Sequence, residues 1–69
     1  MTKRQHEILL TINDYIQSEG MSPTVREICD MTGLKSTSTV YGYIKRLEKQ
    51  GYIKIKQGSA RSIRIVKDV

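Results

Sequence analysis

A winged helix-turn-helix, mainly α with a small β-hairpin, is the fold class that this 69-residue sequence predicts. Three observations carry the expectation. Thr2 with Gln5, and Thr24 with Glu27, have the spacing of capping boxes, which mark helix starts. Gly20, Gly33 and Gly51 each fall where a run of helical periodicity ends. Beyond Gly51, isoleucines alternate with basic or polar residues, which is the period of a strand.

The first helix follows from Thr2 and carries Ile8, Leu9, Ile12, Tyr15 and Ile16 on one stripe, closing at Gly20. Met21-Ser22-Pro23 is a connector, because Pro23 biases Ser22 away from helical angles. A short second helix starts at Thr24, offers Val25, Ile28, Cys29 and Met31 as apolar residues, and ends at Gly33. Leu34 is expected to plug the core from the turn. Ser36 is the expected N-cap of a third helix that runs to about Gln50, with Gly51 as its stop. Two helices joined by a short turn containing glycine form a helix-turn-helix, although many small helical domains share that spacing. Ile53 and Ile55, then Ile63 and Ile65, give a hairpin with one isoleucine face and one cationic face. No repeat, low-complexity segment or interdomain linker interrupts residues 1–69, so a single domain is expected.

Composition narrows the function classes. A chain this short hides only around 60% of the surface that its unfolded form exposes, so elaborate catalytic crevices are not expected. One cysteine, Cys29, permits no internal disulfide and fits a reducing cytoplasm. With one histidine, His6, beside it, a zinc site of Cys and His ligands is not expected, and no cofactor is implied. No apolar run reaches the roughly 18 residues of a membrane span, and no secretory signal is visible. A Ser/His/Asp set and a phosphate-cradling glycine loop are also missing, so the expectation is a non-enzyme with no small-molecule substrate.

Charge is unevenly distributed along the chain. Up to Leu34, three basic residues face five acidic ones, whereas from Lys35 to Lys67 nine basic residues stand against Glu48 alone. Such a cationic half suits a phosphate backbone or an anionic membrane, or serves as a solvated face. Placing the third helix at about 100° per residue resolves part of that choice. Val40, Tyr43, Ile44 and Leu47 turn inward. The opposite side carries Ser38, Gly42, Lys45 and Lys49, flanked by Thr39 and Arg46 on one edge and Tyr41 on the other. Hydroxyls near the helix start suit base edges in a major groove, and the cations further along suit phosphates.

The candidate DNA contacts are therefore Ser36, Thr37, Ser38, Thr39, Tyr41, Gly42, Lys45, Arg46 and Lys49, with Arg61 from the wing. Glycine inside a helix costs roughly 1 kcal/mol relative to alanine. Gly42 is thus either a tolerated surface glycine or a device that lets the backbone approach a groove floor. Tyr41 is either a contact to a sugar or thymine methyl or an ordinary half-exposed tyrosine. Tyr43 and Tyr52 are expected at the rim of the core, Cys29 as a small buried apolar residue, and His6 on an exposed face. The hairpin tip, Gly58 to Arg61, is either a wing that places Arg61 against a phosphate or the minor groove, or a plain soluble turn.

Longer stretches carry a resemblance. Met21-Ser22-Pro23-Thr24-Val25-Arg26-Glu27-Ile28, Gly33-Leu34-Lys35-Ser36-Thr37-Ser38-Thr39-Val40 and Leu47-Glu48-Lys49-Gln50-Gly51-Tyr52-Ile53 closely resemble the N-terminal DNA-binding domain of the LexA repressor family. Thr2-Lys3-Arg4-Gln5 and Ser59-Ala60-Arg61-Ser62-Ile63-Arg64-Ile65 look like it too, and the hydroxyl run looks most like the Gram-positive branch. The resemblance implies a cytoplasmic repressor of DNA-damage (SOS) genes that binds a palindromic double-stranded operator as a homodimer. It also implies that Ser38, Thr39, Tyr41 and Lys45 meet bases or nearby phosphates, with the wing around Arg61 on the backbone. Tyr41 departs from the polar or histidine side chain expected there in many members.

The family continues into a self-cleaving peptidase domain with a Ser-Lys pair, which also supplies a dimer interface. The sequence ends at Val69. The expectation is therefore an isolated DNA-binding half or a small phage or mobile-element regulator, unable to cleave itself and at most a weak dimer. A winged-helix protein-interaction module, using the same basic face for an acidic partner, is the alternative function class.

Overall fold

The computed structural model describes residues 2–56, 58 and 61–67. Its elements run in the expected order: α1 (Lys3–Glu19), α2 (Val25–Thr32), α3 (Thr37–Lys49), β1 (Ile53–Ile55) and β2 (Ile63–Ile65). Both capping boxes form. The Thr2 and Thr24 side chains accept from the Gln5 and Glu27 amides, and the Gln5 and Glu27 side chains accept from the amides of Thr2 and Thr24. That reciprocal use explains why Gln5 is buried without an unmet polar group. Ser36 does occupy the N-cap position of α3, but its hydroxyl makes no cap hydrogen bond.

Leucine and isoleucine at helical spacing bring the helices together. Ile8, Leu9 and Ile12 of α1, Ile28 and Cys29 of α2, and Val40, Ile44 and Leu47 of α3 are buried in one cluster. Ile53 and Ile63 join it from the hairpin, so the wing is built onto the same core as the helices. Ile16, Val25, Leu34, Tyr43 and Tyr52 pack around its rim, as their spacing predicts. Met31 differs: it is nearly half exposed, because the short α2 buries only the side carrying Ile28 and Cys29.

Gly51 turns the chain from helix into wing. Its φ of 84° lies in the left-handed region, which glycine enters without a Cβ penalty. The Gly51 amide then donates to the Glu48 carbonyl and the Tyr52 amide to Leu47, capping the helix end. The strands pair antiparallel with Ile53 opposite Ile65, Lys54 opposite Arg64 and Ile55 opposite Ile63. One hairpin face is therefore isoleucine and the other sets two cations directly across from each other. Among the described residues no helix is long and apolar enough to cross a membrane, and no cluster of His, Cys, Asp or Glu has metal-binding geometry.

Candidate nucleic-acid interface

The helical arithmetic places α3 correctly. Val40, Ile44 and Leu47 are buried and Tyr43 lies at the rim, while Ser36, Thr37, Ser38, Thr39, Tyr41, Lys45, Arg46 and Lys49 are all exposed. Gly42 sits on the outward side, and a Cβ built there would meet nothing within 4 Å. Among the described residues no packing constraint therefore asks for glycine at this position. Tyr41, at 54% exposure, is among the most exposed large hydrophobic residues described.

The start of α3 differs from those of α1 and α2. Its first-turn amides have no intrahelical acceptor, and Ser36 leaves them without a side-chain cap. They accompany four consecutive exposed hydroxyl residues, Ser36 to Thr39. Partly positive amides and hydroxyl donors at a helix start suit anionic oxygen or base-edge acceptors.

A groove runs beside this helix. Thr37, Tyr41 and Lys45 form the α3 wall, Thr24 and Arg26 belong to the start of α2, and Lys56 and Ser62 come from the wing. Arg26, Lys45 and Lys56 converge on it from three elements; a second depression, lined by Lys54, Lys56, Arg61 and Arg64, lies against the wing and the α1–α2 connector. Sequence reasoning did not single out Arg26 or Lys56. Lys56 was readable as part of the cationic strand face, in step with Lys54. Arg26 lies in the acidic half of the chain, and only the fold brings the α2 start next to the wing.

Two of the expected contacts, Arg46 and Arg61, have partners within the chain. Arg46 lies over the Tyr43 ring, 5.8 Å from its centroid, and remains exposed. Arg61, read either as a wing residue for a phosphate or the minor groove or as part of a plain turn, has its guanidinium folded back onto the helices in the free chain. Its two terminal nitrogens donate to Glu27 Oε1 at 2.8 Å and Oε2 at 3.1 Å. Nη1 also donates to the Ser22 carbonyl at 3.0 Å and reaches the Tyr15 hydroxyl at 3.4 Å. The physical reason is that Glu27, held by its capping box, presents a carboxylate whose planar geometry matches the guanidinium fork. The Arg61 hydrogen bonds, with the Thr24 amide next, hold the Glu27 carboxyl down to about 2, and Glu27 in turn raises the Arg61 pKa. Of the proposed tip, Ser59 and Ala60 lie outside the described residues.

Three packed helices with a cationic two-stranded wing, and a third helix whose outer face is hydroxyl-rich and basic, define a winged helix-turn-helix of the DNA-binding class. Comparison with known proteins gives the family. The LexA DNA binding domain model matches residues 1–62, and the chain belongs to that family. It is 54% identical over 99% of its length to a LexA repressor of Caldicellulosiruptor saccharolyticus. A LexA repressor of Ligilactobacillus salivarius is 49% identical over 91% of the chain, and one of Staphylococcus aureus 47% identical over 99%. The chain spans 34%, 31% and 33% of the lengths of these three relatives, so it corresponds to about a third of each.

Proposed function

We propose that the chain is the operator-reading part of a LexA-type transcriptional repressor. In this reading α3 enters the major groove with its hydroxyl-rich start leading. Ser38 and Thr39 meet base edges, Tyr41 meets a sugar or a thymine methyl, and Lys45 and Lys49 hold phosphates. Arg26 and Lys56 seat the neighbouring backbone in the groove between α2, α3 and the wing. Gly42 allows the helix to settle on the groove floor. The observation that carries the reading is the outward face of α3, where small polar residues surround a glycine that no internal contact requires.

The relatives are named as LexA repressors, which supports repression as the outcome of binding. A palindromic operator, pairing of two copies on it and control of DNA-damage genes complete the proposal. A selection from random duplexes with the purified chain tests it, followed by salt titration of the winner. The expected result is a palindrome whose binding weakens with salt, log K falling about 0.9 for each phosphate neutralised per tenfold rise in salt. Retention of acidic peptides in preference to any duplex would assign the basic face to protein partners instead.

A further inference from the structure

Arg61 joins elements that are far apart in the chain. Through Tyr15 it reaches α1, through the Ser22 carbonyl the α1–α2 connector, and through Glu27 the start of α2. Tyr15 closes the cluster by donating from its hydroxyl to Glu27 Oε2 at 3.2 Å. Two residues further on, the Ile63 amide donates to the Ser22 hydroxyl at 3.0 Å. The helices meet the hairpin mainly where α3 packs on β1. On the β2 side, burial of Ile63 and this polar cluster make the connection.

The pair is not deeply buried, with 39% of the Arg61 side chain and 34% of the Glu27 side chain exposed. Ion pairs with this exposure add little to global stability. A two-pronged contact does, however, fix direction, because both nitrogens must face both oxygens. The same α2 turn supplies Thr24 and Arg26 to one wall of the cationic groove, while Lys56 and Ser62 of the wing form another. Whatever sets the wing against α2 therefore sets the opening of that groove.

We propose that Arg61 is a positioning residue for nucleic-acid binding: clasped to Glu27, it holds the wing at the angle that keeps the groove open to a phosphate backbone, and it does not grip a phosphate itself. The inference rests on the DNA-binding reading above. It makes an acidic residue favour the binding of a polyanion, which simple charge attraction opposes. It also distinguishes lysine from arginine at position 61. A point charge serves a direct phosphate contact, whereas only the guanidinium fork can meet both oxygens of Glu27.

The test uses the full chain with Glu27→Gln, Arg61→Lys, Arg61→Met and Tyr15→Phe variants. Two readouts are taken: amide hydrogen exchange, and affinity for the selected duplex across a salt series. The clasp predicts faster exchange at Ile63 and Lys56 in Glu27→Gln and Arg61→Met, with the α3 core amides unchanged. It predicts duplex binding weakened by roughly three- to tenfold in Glu27→Gln and in Arg61→Lys, the weight of one misplaced contact. Arg61→Met should weaken binding without flattening the salt dependence. Tyr15→Phe, which alters no charge, should shift both readouts in the same direction by less.

Tighter duplex binding by Glu27→Gln, with a salt slope steeper by about 0.9, would show that a freed Arg61 takes a phosphate and would overturn the proposal. Full activity of Arg61→Lys would do the same. If the unaltered chain binds no duplex, the DNA reading itself fails. Exchange at Ile63 and Lys56 then still decides whether the clasp holds the wing, and unchanged exchange would refute it.

Discussion

Gly42 stands midway along α3 with open space where a side chain would begin. Replacing it with alanine removes a helix penalty and meets no obstacle, so Gly42→Ala should stabilise the free protein by about 1 kcal/mol. In a domain this small that raises the melting temperature by roughly 4–8 °C. Duplex affinity should fall in the same variant, because the added methyl stands between the backbone and the groove floor. A variant that is more stable and binds as well as before would reduce Gly42 to a tolerated surface glycine. The position was legible from helical phase alone, since facing outward needs no tertiary knowledge. Arg61 was not legible. Its partners lie 34, 39 and 46 residues away in sequence, and no local pattern announces an ion pair across such distances. Glu27 titrates accordingly. Its folded carboxyl is held near 2, below the ordinary 4.5, so the clasp is fully formed above about pH 4.5 and is lost as pH falls toward 2. Wing amide exchange at Ile63 and Lys56 should therefore differ between the unaltered chain and Glu27→Gln at neutral pH and converge through that acid window.

The three helices were readable because each is bounded by chemistry local to it. Hydroxyl-to-carboxyl or hydroxyl-to-amide boxes start α1 and α2, and glycine in the left-handed region follows all three helices. The hairpin was readable from period-two alternation, down to the isoleucines that meet the core. The role of Ser36 was less visible, since a serine before a helix looks the same whether its hydroxyl caps the amides or turns away from them. Its lack of a cap bond has a thermodynamic signature. Thr24→Ala should cost about 1 kcal/mol in denaturant unfolding, as for a working N-cap, whereas Ser36→Ala should cost close to nothing. Equal losses would mean that Ser36 caps α3 in solution and that its first-turn amides are not free for an anionic partner. The wing adds a further element-level tension. Lys54 opposes Arg64 directly across the strands, an arrangement that weakens a hairpin unless an anion lies nearby.

Across the whole molecule, charge and shape agree only after folding. The acidic residues Glu7, Asp14 and Glu19 are exposed along α1, while cations from α2, α3 and the wing converge on the groove beside α3. Counting charge by halves of the chain found the polarity but missed Arg26, which the fold carries from the acidic half to the cationic side. The Glu27–Arg61 pair cancels two charges and ties the wing to the start of α2, so in the proposal above the binding geometry depends on a contact that adds no net charge. The most direct test is amide chemical-shift mapping of the chain as the selected duplex is added. Perturbations should concentrate on Ser38, Thr39, Tyr41, Gly42 and Lys45, with Arg26 and Lys56 following from across the groove. Shifts gathered on Glu7, Asp14 and Glu19 of α1, with α3 unmoved, would contradict the interface proposed for this protein.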